Sequence, residues 1–338
     1  MSVKHLSIKD IARIAGVAPS TVSFVINGRH EEMRLSKEMV KHVQAVIKKT
    51  GYTPNRAAAS LRTGKTHVIG LIVEDIANSF FASLAKSVEL AAAKAGYRVV
   101  YGSTENNDTK GNDLIQLLAK QVDGFLITPS TGMKAGVLAL RKNRKPIVLI
   151  DRYFPDEEIS FVLVDNYAGI REGTQYLINK KKKKIAFVNL DMDQVQIQER
   201  ERAFVDTMKA HGLFQKKLML KIPYCQDRTG YAPHIEKFLE KQKDIDAILF
   251  ATNYLGMFGI KALKEQEIVI PDGVAVMSFD DTDLFRFSSP SISVISQPVQ
   301  EIASQAVGLL LDQINSPGTK RKQKGVLIPP ELIIRESV

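Results

Sequence analysis

Apolar residues in the first fifty positions recur at helical spacing in three short bursts. Ile8, Ile11, Ala12 and Ala15 form one stripe, at the three-and-four spacing that puts side chains on a single helix face. Ser7 and Asp10 bracket its start as in a capping box, the hydroxyl accepting from the backbone three residues on and the carboxylate reaching back. Gly16 stops this helix by turning left-handed without strain. A tight connection at Val17-Ala18 leads to Pro19, which a first helical turn tolerates. Val22, Val25 and Ile26 give a second helix its inner face, and Asn27-Gly28 ends it. A third helix runs from Ser36, with Val40, Val43 and Ile47 on one side and Gly51 at its end. Helix, glycine-containing turn, helix predicts a helix-turn-helix unit.

From His67 onward the pattern changes to short aliphatic runs alternating with helical stretches. The runs lie at 68–73, 98–101, 124–128, 147–150, 161–164, 185–188, 247–250 and 274–278; helical stretches such as 81–95, 167–180 and 199–211 sit between them. Such alternation predicts parallel sheets covered by helices, and so many units imply two subdomains. The expected fold is an α/β core of two parallel-sheet subdomains carrying an all-α N-terminal helix-turn-helix headpiece. Ligands of open α/β sheets sit beyond the carboxyl ends of the strands.

Charge sharpens the division. Residues 1–65 hold 12 Lys/Arg against 4 Asp/Glu, while the other 273 hold 35 against 33. A basic end on a near-neutral body is an electrostatic footprint for nucleic acid. The five-lysine run at 180–184 falls between a helix and a strand and reads as a solvated turn. No apolar run approaches the roughly 20 residues that span a bilayer, and the N-terminus lacks the apolar segment of a secretory signal. The lone Cys225 cannot form an internal disulfide and reads as a small core residue. These features point to the cytoplasm. Gly64-Lys65-Thr66 ends like a phosphate loop, but Ala59 stands where the loop needs glycine. No nucleophile–base set, metal cluster or paired-carboxylate site appears at recognisable spacing, so no enzyme, cofactor or metal is expected.

The stretches SIKDIARIAGVAPSTVSFVING and GYTPNRAAASLRTGKTHVIGLI resemble the lactose-repressor (LacI/GalR) family of bacterial regulators, and the likeness extends over nearly the whole chain. The resemblance implies a second helix lying in the DNA major groove, with Pro19, Ser20 and Phe24 at the base-reading positions. Phe24 departs from the polar readers usual there; a phenyl ring touches a thymine methyl or a sugar and donates nothing. Thr21 and Ser23 suit phosphate contacts, and Asn27 and Arg29 complete the set on the headpiece. The loop at 29–34 is longer than the family's common one, and its Arg29 and Arg34 are either phosphate contacts or solvated. Asn55, Arg56, Ala58 and Leu61 fall in a hinge that the family folds into a helix on DNA, with the leucine wedged into the minor groove.

In the core, the resemblance implies the fold of periplasmic sugar-binding proteins and a ligand in the cleft between the subdomains. The candidate contacts are Asn78, Phe80 and Phe81 after the first strand, Asp151-Arg152 after IVLI, Arg200 at the start of a helix after the VNLDMDQ loop, Asn253 after ILFAT and Asp280 after VMSF. Planar donors and acceptors around an aromatic surface suit a polyhydroxylated, sugar-like effector; a purine or a phosphorylated sugar stays open. Tyr254 replaces the aspartate usual after Asn253. The expected divisions are a headpiece at 1–51, a hinge at 52–64 and a core at 65–338. The first subdomain takes about 65–165 plus 296–326, the second about 166–295 plus 327–338. A homodimer on a near-palindromic double-stranded operator follows, because two-fold symmetry doubles the few base contacts of one headpiece. PPELIIRESV carries no heptads that would build a tetramer. The competing reading is a solute-binding receptor with the same core, which needs an export signal and leaves the basic headpiece unexplained.

Overall fold

The computed structural model describes residues 6–53, 64–225, 227–316 and 323–338. The chain divides into two compact units, Met1–Thr66 and His67–Val338. The break falls two residues after the expected start of the core at 65.

The first unit holds α1 (Ile8–Ala15), α2 (Pro19–Ile26) and α3 (Lys37–Thr50). Ser7 and Asp10 complete a reciprocal capping box, and Gly16 closes α1 in the left-handed conformation at φ 66°. Pro19 occupies the first turn of α2. Ser36 caps α3 by accepting from the Met39 N–H, and Gly51 ends it, again left-handed. Ile11, Ala12, Ala15, Val22, Val25, Val40 and Val43 bury together, with Ile26 and Ile47 packed against them.

The second unit contains two six-stranded sheets. The first comprises β1 (Val68–Val73), β2 (Arg98–Ser103), β3 (Gly124–Ile127), β4 (Ile147–Ile150), β5 (Phe161–Val164) and β11 (Gly325–Ile328), in the order β11-β5-β4-β3-β1-β2. The second comprises β6 (Ile185–Asp191), β7 (Met219–Pro223), β8 (Ala247–Phe250), β9 (Ala275–Phe279), β10 (Ser293–Ser296) and β12 (Glu331–Ile333), in the order β12-β10-β9-β8-β6-β7. All pairings are parallel except β10 with β12. The two orders correspond position for position, so β4 and β9 are equivalents, as are β1 and β6, and β3 and β8.

The helices that matter for the site are α4 (Ser79–Lys94), α5 (Asp108–Leu118), α6 (Lys134–Lys142), α7 (Asn166–Asn179), α8 (Val195–Ala210), α9 (Tyr231–Lys241), α10 (Asn253–Glu265), α11 (Asp283–Phe287) and α12 (Val299–Asn315). Helix α12 packs on α4 and on strands β3, β4 and β5, so it belongs to the first lobe. Apolar side chains fill both faces of each sheet.

Four strands are absent from the sequence pattern: β7, β10, β11 and β12. Three of them lie at sheet edges, where one flank is wet and a continuous aliphatic run is not required. The fourth, β10, is buried but consists of Ser293-Val294-Ile295-Ser296. The helices start earlier than the pattern predicts. Asn78 caps α4 and Asp165 caps α7 through side-chain bonds to the Phe80 and Ala168 N–H groups, while α8 begins at Val195 with no side-chain cap. The lobe divisions also shift. Strand β11 keeps Leu327 and Ile328 in the first sheet, and β10 keeps Ser296 in the second. The chain therefore crosses between the sheets after Val164, after Ser296 and after Ile328.

Candidate functional site: the recognition helix and the interlobe cleft

In the headpiece, Pro19 and Ser20 are exposed and Thr21, Ser23 and Phe24 half-buried. Phe24 stands outside the headpiece core, whose α2 members are Val22, Val25 and Ile26. Two of the expected DNA-facing groups have partners of their own. Asn27 Nδ2 donates to the Ser23 carbonyl at 2.8 Å and to Ser23 Oγ at 3.2 Å. Arg29 Nε donates to Glu32 at 2.8 Å, both side chains largely in water, and a pair so exposed is worth at most about 1 kcal/mol, weak enough to exchange for a phosphate. Arg34 takes a positive φ of 53°. Asn55, Arg56, Ala58 and Leu61 lie outside the described residues.

In the second unit the carboxyl ends of the two sheets meet across a narrow polar cleft, the place where open α/β sheets hold their ligands. Strand β1 leads to Glu74 and Asn78, β4 to Asp151 and Arg152, β8 to Thr252 and Tyr254, β9 to Asp280 and β10 to Gln297; all line it. Phe80 and Phe81, edge to face at 4.9 Å between ring centroids, supply an aromatic wall from the first turn of α4. Asn78 positions that turn, because its Oδ1 accepts from the Phe80 N–H at 3.0 Å.

Arg200 enters from the other lobe. It lies in the second turn of α8 rather than at the helix start, because α8 opens four residues before the pattern suggests. Its Nε donates to Asn166 Oδ1 and its Nη1 to the Ala251 carbonyl, both at 2.7 Å. The guanidinium carbon sits 3.6 Å from the centroid of the Phe279 ring, a cation–π stack that fixes its plane. Arg152 is held from the first lobe: Nη1 donates to Asn106 Oδ1 at 3.0 Å and Nη2 to Glu74.

Asp151 and Asp280 are both buried. Burial pushes the Asp151 carboxyl up to about 7, against the pull of Arg200 and with a further push from Asp280. Burial raises Asp280 too, opposed by Arg200 and by Gln297, whose Nε2 donates to Asp280 Oδ1 at 2.6 Å. Two carboxylates and a guanidinium that feel one another in a sheltered cleft are the perturbed groups expected of a binding site.

Seven of the eight expected cleft residues thus line one cavity: Asn78, Phe80, Phe81, Asp151, Arg152, Arg200 and Asp280. Asn253 does not. Its Nδ2 donates to Asn78 Oδ1 at 3.0 Å and to Ser79 Oγ at 3.1 Å, so it ties α10 to α4 across the lobes. Asp281 turns away from Asp280 and is clamped by Arg335 at 2.7 and 2.9 Å and by Arg286 at 2.8 Å. Glu74, Gln194, Gln196, Thr252 and Gln297 also line the cavity and escape the sequence reading, and Tyr254, noted there only for the aspartate it replaces, lines it too. Glu74 follows directly on the apolar run of β1, a signal that was there to use. Gln297 follows β10, a strand the pattern does not reveal.

A two-lobed α/β core with a polar cleft, carried behind a basic helix-turn-helix headpiece, defines a ligand-responsive DNA-binding regulator. The family "Bacterial regulatory proteins, lacI family" matches residues 7–55, and the "Periplasmic binding protein-like domain" matches residues 174–338. The HTH-type transcriptional repressor PurR of Histophilus somni is 30% identical over 336 residues, covering 98% of each chain. The ribose operon repressor of Escherichia coli K12 is 30% identical over 332 residues, covering 96% of this chain and 97% of its own. The structure of a transcriptional regulator CelR–cellobiose complex superposes with a TM-score of 0.72 at 26% identity over 98% of this chain and 100% of that one. The lac repressor dimer bound to operator and the anti-inducer ONPF shares the fold, with a TM-score of 0.84 at 20% identity over 99% of both chains. This chain belongs to the lacI family of bacterial regulatory proteins. It is a DNA-binding transcriptional repressor with a small-molecule effector, not an enzyme, and the solute-receptor reading is not favoured. Among the described residues no helix is long and apolar enough to cross a membrane.

Proposed function

We propose that the chain is a cytoplasmic homodimeric repressor of a near-palindromic operator, switched by a sugar or sugar derivative held in the interlobe cleft. The observation that carries the reading is Arg200, laid flat on Phe279 and anchored by Asn166 and Ala251 within reach of Asp151 and Asp280. A fixed guanidinium beside two carboxylates offers planar donors and acceptors to adjacent hydroxyls. Phe80 and Phe81 offer an apolar face to ring carbons. The cellobiose named in the CelR complex is a ligand of that kind.

A ligand that touches Asp151 and Phe81 from one lobe and Arg200 and Asp280 from the other favours the closed lobes by its differential contacts. In this reading Pro19, Ser20, Thr21, Ser23, Phe24, Asn27 and Arg29 meet DNA. Asn55, Arg56, Ala58 and Leu61 form the hinge that senses closure. Leu90, Val100 and Tyr101, exposed apolar side chains on the adjacent α4 and β2, support a second copy packing there; sedimentation showing only monomer at micromolar concentration, with and without operator, would exclude it.

The test of the switch is a thermal-shift screen of sugars and purines on the full chain, followed by operator titration with the ligand found. A ligand that binds only the native state raises the unfolding midpoint. Asp280→Asn should abolish the change in operator affinity on adding ligand, which is typically 5- to 150-fold in such couplings. A variant that responds like the parent would place the effector elsewhere.

A further inference from the structure

We infer that the cleft selects a ligand without negative charge, a neutral or aminated polyol, against its phosphorylated and carboxylated counterparts. The inference rests on the reading of this cleft as the effector site and narrows the ligand class that reading allows.

The first ground is the balance of buried charge. Among the described residues, Glu74, Asp151 and Asp280 line the cavity against Arg152 and Arg200. Arg228, whose guanidinium lies over the Tyr254 ring nearby, is already paired with Asp75. Burial raises the Tyr254 hydroxyl, which stays neutral. An anion entering here meets more carboxyl groups than guanidiniums in a sheltered site, where charges interact more strongly than in water.

The second ground is the state of the donors. Gripping a phosphate or carboxylate calls for guanidinium N–H groups that are free to turn on it. Here two of the three nitrogens of each arginine serve the protein. Arg152 Nη1 and Nη2 go to Asn106 and Glu74, and Arg200 Nε and Nη1 to Asn166 and Ala251. Each guanidinium keeps three of its five N–H groups, but with two nitrogens tied to the protein neither is free to turn on a ligand, and the two stand in opposite lobes.

The third ground is the surplus of acceptors. Asp151 is ion-paired with Arg152 Nε at 3.3 Å but accepts no hydrogen bond from any described residue. Among the described residues Asp280 accepts from the Gln297 side chain alone. Gln196 Oε1, on a residue 95% buried, has no partner among the described residues. Buried acceptors left unpaired are costly, so the complement of this cleft is a molecule rich in donors. Hydroxyl and ammonium groups donate; an ionised phosphate only accepts.

Calorimetric titration of the full chain at pH 7.5 tests this with matched sets. D-Ribose is paired with ribose 5-phosphate. D-Glucose is set against glucosamine, glucose 6-phosphate and glucuronate, and cellobiose against cellobionate. The expected result is that at least one neutral or aminated member binds 100-fold or more tighter than its anionic counterpart. The ratio should narrow at least tenfold in Asp151→Asn, or in Asp280→Asn if the first variant does not fold. An anionic member binding as tightly as its neutral counterpart overturns the inference and leaves the sugar reading intact. Failure of every member, whatever its charge, overturns the sugar reading itself.

Discussion

Asp151 and Asp280 are structural twins. Each is the first residue after an equivalent strand, β4 and β9, each is buried, and each adopts a φ of 67°. For a residue with a Cβ that left-handed backbone is strained by about 1–2 kcal/mol, though Asp and Asn tolerate it best. The two lobes thus present matching carboxylates at matching positions, and both feel the single guanidinium of Arg200.

The twin carboxylates make effector binding pH-dependent. Asp151 carries a value near 7, raised first by burial. A ligand hydroxyl donating to its ionised form lowers that value, so binding releases protons and affinity rises as pH goes from about 5.5 to 8. For stability the sign is opposite. The folded value lies above the unfolded one of about 3.9, so the folded chain binds more protons between them, and the contribution of this group to stability falls as pH rises from about 4 to 7. Asp151→Asn keeps the backbone geometry and should flatten both trends. Calorimetry in buffers of different ionisation heat reads the first, and thermal unfolding across pH reads the second.

Removing Arg200 takes away the guanidinium that Asp151 and Asp280 share and frees Asn166 Oδ1 and the Ala251 carbonyl. Breaking a buried charge arrangement by deleting one partner costs about 3–5 kcal/mol. Arg200→Ala should lower stability to urea by that order and abolish the effector response. Effector-free operator binding should stay within a few fold of the parent wherever the variant is folded. Operator titration with and without ligand decides; loss of binding in the absence of ligand would mean that Arg200 serves the fold.

Asn253 bridges α10 to Asn78 and Ser79 without lining the cavity. Asn253→Ala deletes an interlobe hydrogen bond worth about 1 kcal/mol and should weaken the effector about fivefold with little change in which ligands bind. Calorimetry across the sugar panel checks this; a change in ligand ranking would mean that the amide touches ligand directly.

At the DNA end, Phe24→Ala should change sequence preference and leave the salt dependence of binding nearly unchanged, since the ring releases no counterion from phosphate. Fluorescence titrations from 50 to 200 mM salt would show a misassigned position if the slope fell by about one unit.

How much of this was legible in the sequence depended on where each residue sits. Strands β1, β4, β5 and β8 read directly, because burial on both faces demands unbroken runs such as VIGLIV and IVLI. Edge strands β7, β11 and β12 have half-exposed side chains, and their pairing is decided by distant partners rather than by local pattern. Cavity-lining residues at the ends of legible strands, Asp151 and Asp280 above all, are legible from the strand pattern. Arg200 was misplaced on its helix because Gln194, the residue before α8, makes no side-chain cap. Asn253 is expected in the cleft and instead bonds across to Asn78 and Ser79, because a strand-end position does not disclose whether an amide points into the cavity or to the facing lobe.

Strands β11 and β12 follow every other element in the chain, yet each completes the edge of a different sheet. During synthesis, then, neither lobe can finish when its main stretch emerges. The first waits for residues 325–328 and the second for 331–333. Most domains mature in the order they are made; here the two lobes mature together, at the end. A chain cut short by a premature stop near position 320 would carry two bare sheet edges, which are templates for aggregation, one in each lobe.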